Sequence, residues 1–266
     1  MNQDLRGLTA LVTGASRGIG AVLAERLAQE GLNLVLSARD AGKLDTVRAK
    51  CEERGVRARV IAADVSAAAD RERLIREAGD VDILINNAAI EVTKAIADQT
   101  ADDISRQIAT NLEAPIQLTR LLLPRFLARR GGTVVNISSM SGKSPTPFNG
   151  IYAATKFGLN GFSGSLRLEL EGSGVHVGVV CPSFVGETGM WANTGGRAPF
   201  MMREVRPEKV VQGVLAVIRG ASEVLVTPGP VRPLLALREV FPGSDSVILR
   251  RLGVTDALKK RAKVDR

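Results

Sequence analysis

Tyr152 and Lys156 stand four positions apart in YAATK, and the chain has one tyrosine in all. On a helix this spacing puts both side chains on one face, one turn apart. Such a pair is either a packed surface contact or the acid end of a proton relay. A phenol with an unperturbed pKa of about 10 is a poor base at neutral pH, and a nearby ammonium stabilises its anion and lowers that value. Ser139 follows directly on the apolar stretch GTVVNIS, with twelve residues between it and Tyr152. A hydroxyl at the carboxyl end of a central strand opens on the crevice where doubly wound sheets bind ligands, and it can hold a carbonyl oxygen beside a proton donor. Reduction of a carbonyl needs that proton at oxygen and a hydride at carbon, and a nicotinamide cofactor supplies the hydride.

A site for such a cofactor is written near the start of the chain. TGASRGIG follows the first apolar stretch, placing Gly14, Gly18 and Gly20 around Ser16, Arg17 and Ile19, and a helical pattern comes next. Glycines let the backbone turn sharply and approach a pyrophosphate, while free N–H groups and the positive end of the helix attract the anion. About 20 residues further on, an acid for the adenosine ribose marks NAD binding, and an arginine accommodates a 2′-phosphate. Here the second stretch ends in Ser37, Ala38, Arg39 and Asp40, so the acid's place falls on Ala38. Arg17 and Arg39 are then two guanidinium groups able to clamp a phosphate dianion, which favours NADP(H) over NAD(H). Asp40 reads as the cap of the next helix.

The elements that must position these residues alternate along the chain. Residues 8–13, 32–37, 56–62, 81–85, 132–138, 175–181 and 222–227 read as strands, mostly short and apolar enough to be buried on both faces. Helical patterns lie near 18–30, 40–54, 67–78, 101–129, 151–172 and 207–219. The alternation predicts a single α/β unit, a Rossmann-like doubly wound parallel sheet of about seven strands with helices on both faces. Residues 1–231 form the NADP-binding catalytic domain in this reading, and 232–266 a basic helical C-terminal extension of it. Residues 186–200, rich in glycine, read as a mobile loop.

Composition narrows the field. The formal charge is +8, but nine Lys or Arg against four Asp or Glu fall in residues 232–266, so the excess belongs mainly to the tail. With 3% aromatic residues and no long basic run in the body, nucleic acid is not an expected partner. The start MNQDLRGLTA carries no basic-then-apolar signal, and no apolar run approaches a membrane span of roughly 18 residues, so a cytoplasmic protein is expected. Cys51 and Cys181 lie far apart and the chain has one histidine, His176, so no metal site is expected. His176 reads as a satisfied core or edge residue and Cys181 as a small buried hydrophobe.

Taken together, these motifs resemble the short-chain dehydrogenase/reductase family in its common form of about 250 residues. The resemblance covers residues 8 to about 227 and rests on TGASRGIG, Asp64-Val65 after the third strand, Asn86-Asn87-Ala88-Ala89 after the fourth, Asn111, Ser139, Tyr152 and Lys156. It implies an oxidoreductase with Tyr152 as acid, Ser139 orienting the carbonyl and Lys156 also bonding the nicotinamide ribose. Asn111 would disturb its helix and hold a water that feeds protons to the lysine. Asp64 and Val65 would lie near the adenine, and Asn87 and Ala88 would support the cofactor. Pro182, Val185 and Thr188 would contact the nicotinamide end, with Ser16, Ile19 and Ser37 completing the nucleotide contacts.

Three positions depart from the family pattern. Ala89 and Ser183 stand where glycine is usual, and Thr188 comes one place late. Gly158, Gly161 and Gly164 recur every third residue in one helix, each at a cost of about 1 kcal/mol in helix propensity, so close approach of another backbone is expected. By resemblance this helix packs against its copy in a homodimer or homotetramer, with internal packing as the other reading. The tail either caps the substrate crevice, extends an oligomer contact, lies on an anionic membrane surface or is a solvated appendage. Phe184, Met190, Trp191, Phe200, Met201 and Met202 favour a bulky apolar substrate, ketoacyl or steroid-like, or else pack a lid. The expected protein is an NADP(H)-dependent carbonyl reductase. The competing readings are an inactive dinucleotide-binding sensor or scaffold and a peripheral membrane protein acting through its tail.

Overall fold

The computed structural model describes residues 4–192, 198, 203–241 and 243–263. Seven strands form one parallel sheet: β1 (Thr9–Thr13), β2 (Asn33–Ala38), β3 (Ala58–Ala62), β4 (Ile83–Asn86), β5 (Gly132–Ile137), β6 (Val175–Pro182) and β7 (Glu223–Val226). Their order is β3-β2-β1-β4-β5-β6-β7. All seven expected strands are present, and the chain reverses direction across the sheet between β1 and β4. That reversal opens a crevice at the carboxyl ends of the strands.

Successive side chains of the central strands serve opposite layers, because a strand alternates its faces. Ala10 and Val12 of β1, with Leu34 and Leu36 of β2, join one buried cluster, whereas Leu11 and Val35 join the other. The first cluster is completed by α1 (Gly18–Gln29), α2 (Ala41–Glu52) and, further along the chain, the helix Pro207–Ile218. The second takes in α3 (Ala68–Ala78) and the long helical segment 101–128. Asp40 caps α2, its carboxylate accepting from the Lys43 backbone N–H at 3.1 Å.

The expected helix over 101–129 is not continuous. It runs as α4 (Ala101–Ile108), a π-helical turn at Ala109–Glu113, and α5 (Ala114–Ala128). Asn111, fully buried, sits in that turn. Its amide donates to the Ile90 carbonyl and its oxygen accepts from the Ile90 N–H, both at 2.8 Å. The helix widens where one side chain replaces the backbone partners of the strand-end loop beside it.

Beyond α6 (Gly150–Glu169) come a short turn α7 (Gly189–Ala192) and α8 (Pro207–Ile218). Of the segment 186–200, residues 193–197, 199 and 200 lie outside the described residues, as do Met201 and Met202 and the side chain of Trp191. The tail folds as α9 (Arg232–Val240), α10 (Ser244–Arg251) and α11 (Val254–Arg261), jointed at Gly243 and Gly253 in left-handed conformation. Among the described residues no helix is long and apolar enough to cross a membrane.

Candidate active site

The crevice above β1, β4 and β5 encloses about 910 Å³ and is continuous from the glycine loop, past Ser139, Tyr152 and Lys156, to the tail helices. Its nucleotide end is shaped by backbone. Gly14 adopts φ +67° and Gly18 φ +63°, a left-handed conformation that side chains resist, and a Cβ on Gly20 would run into the Gly14 carbonyl and stand 2.6 Å from Asn87 Nδ2. Arg17 at the start of α1 makes no side-chain cap, and the first turn carries no acid, so its N–H groups and positive end remain available to an anion. These features fit a dinucleotide pyrophosphate.

Two hydrogen-bonded ties hold that loop against the sheet. The Thr13 hydroxyl accepts from the N–H groups of Asn87 at 3.0 Å and Ala88 at 3.1 Å, and the Asn87 amide donates to the carbonyls of Thr13 at 2.9 Å and Gly14 at 3.2 Å. Thr13 was not among the sequence candidates, because an alcohol at the end of a strand carries no signal until its neighbour strand is known. Deeper in, Asn86 donates to Asn136 and Asn136 to Ser163, each at 2.8 Å, linking β4, β5 and α6 through the buried interior.

Ser16, Arg17, Ile19, Arg39, Asp64, Val65, Asn87, Ala88, Pro182, Val185 and Thr188 all line the crevice. Ser37 does not: its side chain is fully buried behind the wall and its hydroxyl has no hydrogen-bond partner. Ala38 lines the wall at the acid's expected place, with Arg39 4.0 Å from Asp64 and the Asp40 carboxylate 2.7 Å from Lys43. Ala89 keeps a negative φ, so its methyl adds no backbone strain. Thr188 stands next to Gly18 of the glycine loop. Glu187, just before it, has a left-handed φ of +62°.

At the catalytic end, Ser139 starts a short turn after β5, with its hydroxyl accepting from the Ser141 N–H at 3.1 Å. Tyr152 and Lys156 lie on the first turns of α6, both buried. Lys156 Nζ donates to the Ile137 carbonyl at 2.8 Å and stands 5.6 Å from the Tyr152 ring centre. The phenol differs from expectation. Burial pushes its pKa up, and the Glu91 charge adds to this, while the Ser139 hydroxyl and the Arg261 charge pull the other way. Burial acts on the lysine as well and brings Lys156 down to about 8. Tyr152 is thus held protonated, as a donor must be. Asn111 grips Ile90 rather than facing the crevice, although its amide also reaches the Thr155 hydroxyl at 3.4 Å.

The bystanders behave as read. Burial pushes the Cys181 thiol up to about 11, and His176 Nε2 lies 3.1 Å from the Ala221 carbonyl. Gly158 faces Leu112 inside the molecule, whereas among the described residues nothing lies within 4 Å of a Cβ placed on Gly161 or Gly164, so the glycine stripe divides between internal packing and open surface.

The substrate end is roofed by the tail. Val254 and Leu258 of α11 are buried on Phe148, Phe184, Leu249 and Leu252. Arg238 of α9 donates to the Lys143 carbonyl, lies 3.1 Å from Asp245 and stacks 5.7 Å from the Phe157 ring centre. Ser144 bonds Asp245 at 3.1 Å, fastening α10 to the loop after β5. Of the four readings of the tail, the packing matches the cap. Glu91, Asn149 and Arg261 also face this end and were missed by sequence reading.

A seven-stranded doubly wound sheet with a glycine loop, and a half-buried Ser139 with a buried Tyr152 and Lys156 converging on the same crevice, defines a nicotinamide-dependent oxidoreductase of the Rossmann type. Residues 8–197 match the family model for short chain dehydrogenase. The chain belongs to that family. It is 37% identical over 97% of its length to the ketoacyl reductase HetN of Nostoc sp., covering 94% of that protein, tail included. Among solved structures it resembles a variant actinorhodin polyketide ketoreductase with NADPH, at TM-score 0.75 and 32% identity over 83% of this chain and 95% of that one. It also resembles the bulky-bulky ketone specific alcohol dehydrogenase of Comamonas testosteroni, at TM-score 0.76 and 32% identity over 92% and 95%.

Proposed function

We propose that the chain is an NADP(H)-dependent reductase of bulky apolar ketones, with ketoacyl and polyketide-like carbonyls as the first substrates to try. The observation that carries this reading is the continuity of one crevice, with arginines at its nucleotide end, the Ser139–Tyr152–Lys156 group at its middle and an apolar roof beyond. When bound, the nicotinamide supplies the hydride. Ser139 orients the carbonyl oxygen and Tyr152 delivers the proton to it. Lys156, fixed by the Ile137 carbonyl, presents its remaining donors to the cofactor ribose and the Tyr152 side. Asn111 acts by fixing the Ile90 loop that forms one wall.

The preference for NADP(H) is supported by Ala38 in place of an acid and by Arg17 and Arg39 on the rim, and the NADPH-bound neighbour agrees with it. The roof residues Phe184, Leu252 and Leu258 favour an apolar substrate, as do the printed activities of HetN and of the Comamonas enzyme. A homodimer or homotetramer in the cytoplasm completes the proposal. Phe157 and Leu168 lie exposed on α6, one turn from the open Gly161 and Gly164.

Tyr152→Phe tests the reading. NADPH oxidation with a panel of 3-ketoacyl thioesters and bulky ketones is expected to fall by about 10²–10⁴-fold while NADPH binding is kept. Turnover near the wild-type rate in that variant would remove Tyr152 as the acid.

A further inference from the structure

Glu91 follows β4 in the crevice wall and has no part in the carbonyl chemistry above. Its side chain is 10% exposed, and both oxygens are engaged. One accepts from the Asn149 amide at 2.6 Å and the other lies 2.9 Å from an Arg261 guanidinium nitrogen. Asn149 is the residue at which α6 begins, just before Tyr152, and Arg261 ends α11 with its side chain 14% exposed. The pair therefore joins the last helix of the roof to the wall beside the proton donor.

Ion pairs this buried give up hydration on both sides, so their net contribution to stability is small. Removing one partner is different, because an unpaired charge is then left in low dielectric. That stranded charge would lie next to Tyr152. Glu91 opposes loss of the phenol proton and Arg261 favours it. The other groups acting on the phenol are Ser139 just after β5 and Cys181 on β6, and the Lys156 ammonium on its own helix stands 5.6 Å from the ring centre. Glu91 and Cys181 also act on Lys156.

We propose that Glu91 and Arg261 form a latch that closes α11 over the substrate end and neutralises the charge beside Tyr152 only when closed, making Arg261 a positioning residue for proton transfer. With the latch open, Glu91 stands alone and holds the proton on the phenol. Removing a proton from an alcohol substrate, which needs the phenolate, is then disfavoured until the roof is shut. The effect on turnover rests on the carbonyl chemistry proposed above, whereas the latch does not.

The single tyrosine gives a direct readout, since carbon-13 labelling at Cζ yields one resonance for the whole chain. In Glu91→Gln the resonance is expected to begin its shift toward the phenolate at a pH lower than wild type by about half a unit or more. In Arg261→Met it begins later, and the doubly substituted protein falls between the two. Lys260→Met, an exposed charge on the same helix, leaves it unmoved. Hydrogen exchange of the α11 amides should rise roughly tenfold in each latch variant and no further in the double variant. Glu91→Gln and Arg261→Met resonances that titrate with wild type, or α11 exchange that stays at the wild-type rate, overturn the latch. If the wild type reduces no ketone yet these shifts occur, the reductase reading fails and the latch stands.

Discussion

The nucleotide end of the crevice is shaped by main chain, and the substrate end by side chains brought from far along the sequence. Gly14, Gly18 and Gly20 leave room for a cofactor by having no Cβ, and the Thr13 and Asn87 side chains fix that loop through four hydrogen bonds of 2.9–3.2 Å to backbone groups. At the other end Val254 and Leu258 are the two buried residues of a small satellite cluster, separate from the two cores that flank the sheet. One end cannot move without disturbing β1 and β4. The other is three short helices jointed by glycines, held by a few apolar contacts and the pairs Arg238–Asp245 and Arg261–Glu91. On the proposed function, cofactor recognition falls to the rigid end and substrate selection to an element that can open at small cost.

The sharpest way to break the contrast is Gly20→Ala. The new methyl would meet the Gly14 carbonyl and Asn87, both parts of the rigid end, so NADPH affinity is expected to drop by ~100-fold or more in fluorescence titration. Retained affinity would mean the loop yields as readily as the roof. Arg39→Asp acts on the same end without touching its backbone. It should weaken NADPH relative to NADH by about tenfold or more, measured as the ratio of dissociation constants. An unchanged ratio would discard the phosphate clamp.

Leu258→Ala probes the roof. Because the leucine is buried on Phe148, Phe184 and the α10 residues, its truncation is expected to raise KM for a bulky ketone several-fold, with NADPH binding within about twofold of wild type. Equal damage to both ends would erase the distinction. The smallest effect concerns Lys156, between the two. Burial holds it near 8 in the fold against 10.5 as its ordinary value, so between these the unfolded chain carries one more proton. Stability of the cofactor-free wild type relative to Lys156→Met should therefore rise from about pH 7 to about pH 10, read by chemical denaturation at both. A flat difference would place the ammonium in solvent.

Much of the rigid end was legible because its signals are local. Glycine spacing, a preceding apolar strand and a following helix sit within a few residues, and strand alternation fixes the sheet regardless of what packs above it. The same locality gave Tyr152 and Lys156 a common face, and Asp40 its cap. Ser37 shows the limit: its neighbours point to the cofactor, yet the alternation of β2 turns its hydroxyl into the interior. The direction of the phenol's shift was likewise out of reach. Proximity to a cation is visible in a sequence, whereas desolvation depends on everything that closes over the group.

By itself the sequence determined the order of strands and helices, the glycine loop and the shared face of Tyr152 and Lys156, since each is set by residues adjacent in the chain. Only the tertiary structure decided that the basic tail becomes a roof, that Asn111 opens its helix to grip Ile90, and that Glu91 meets Arg261 beside Tyr152. Those outcomes come from apolar surface seeking cover and from buried charges needing partners, and neither requirement names its partner until the chain has folded.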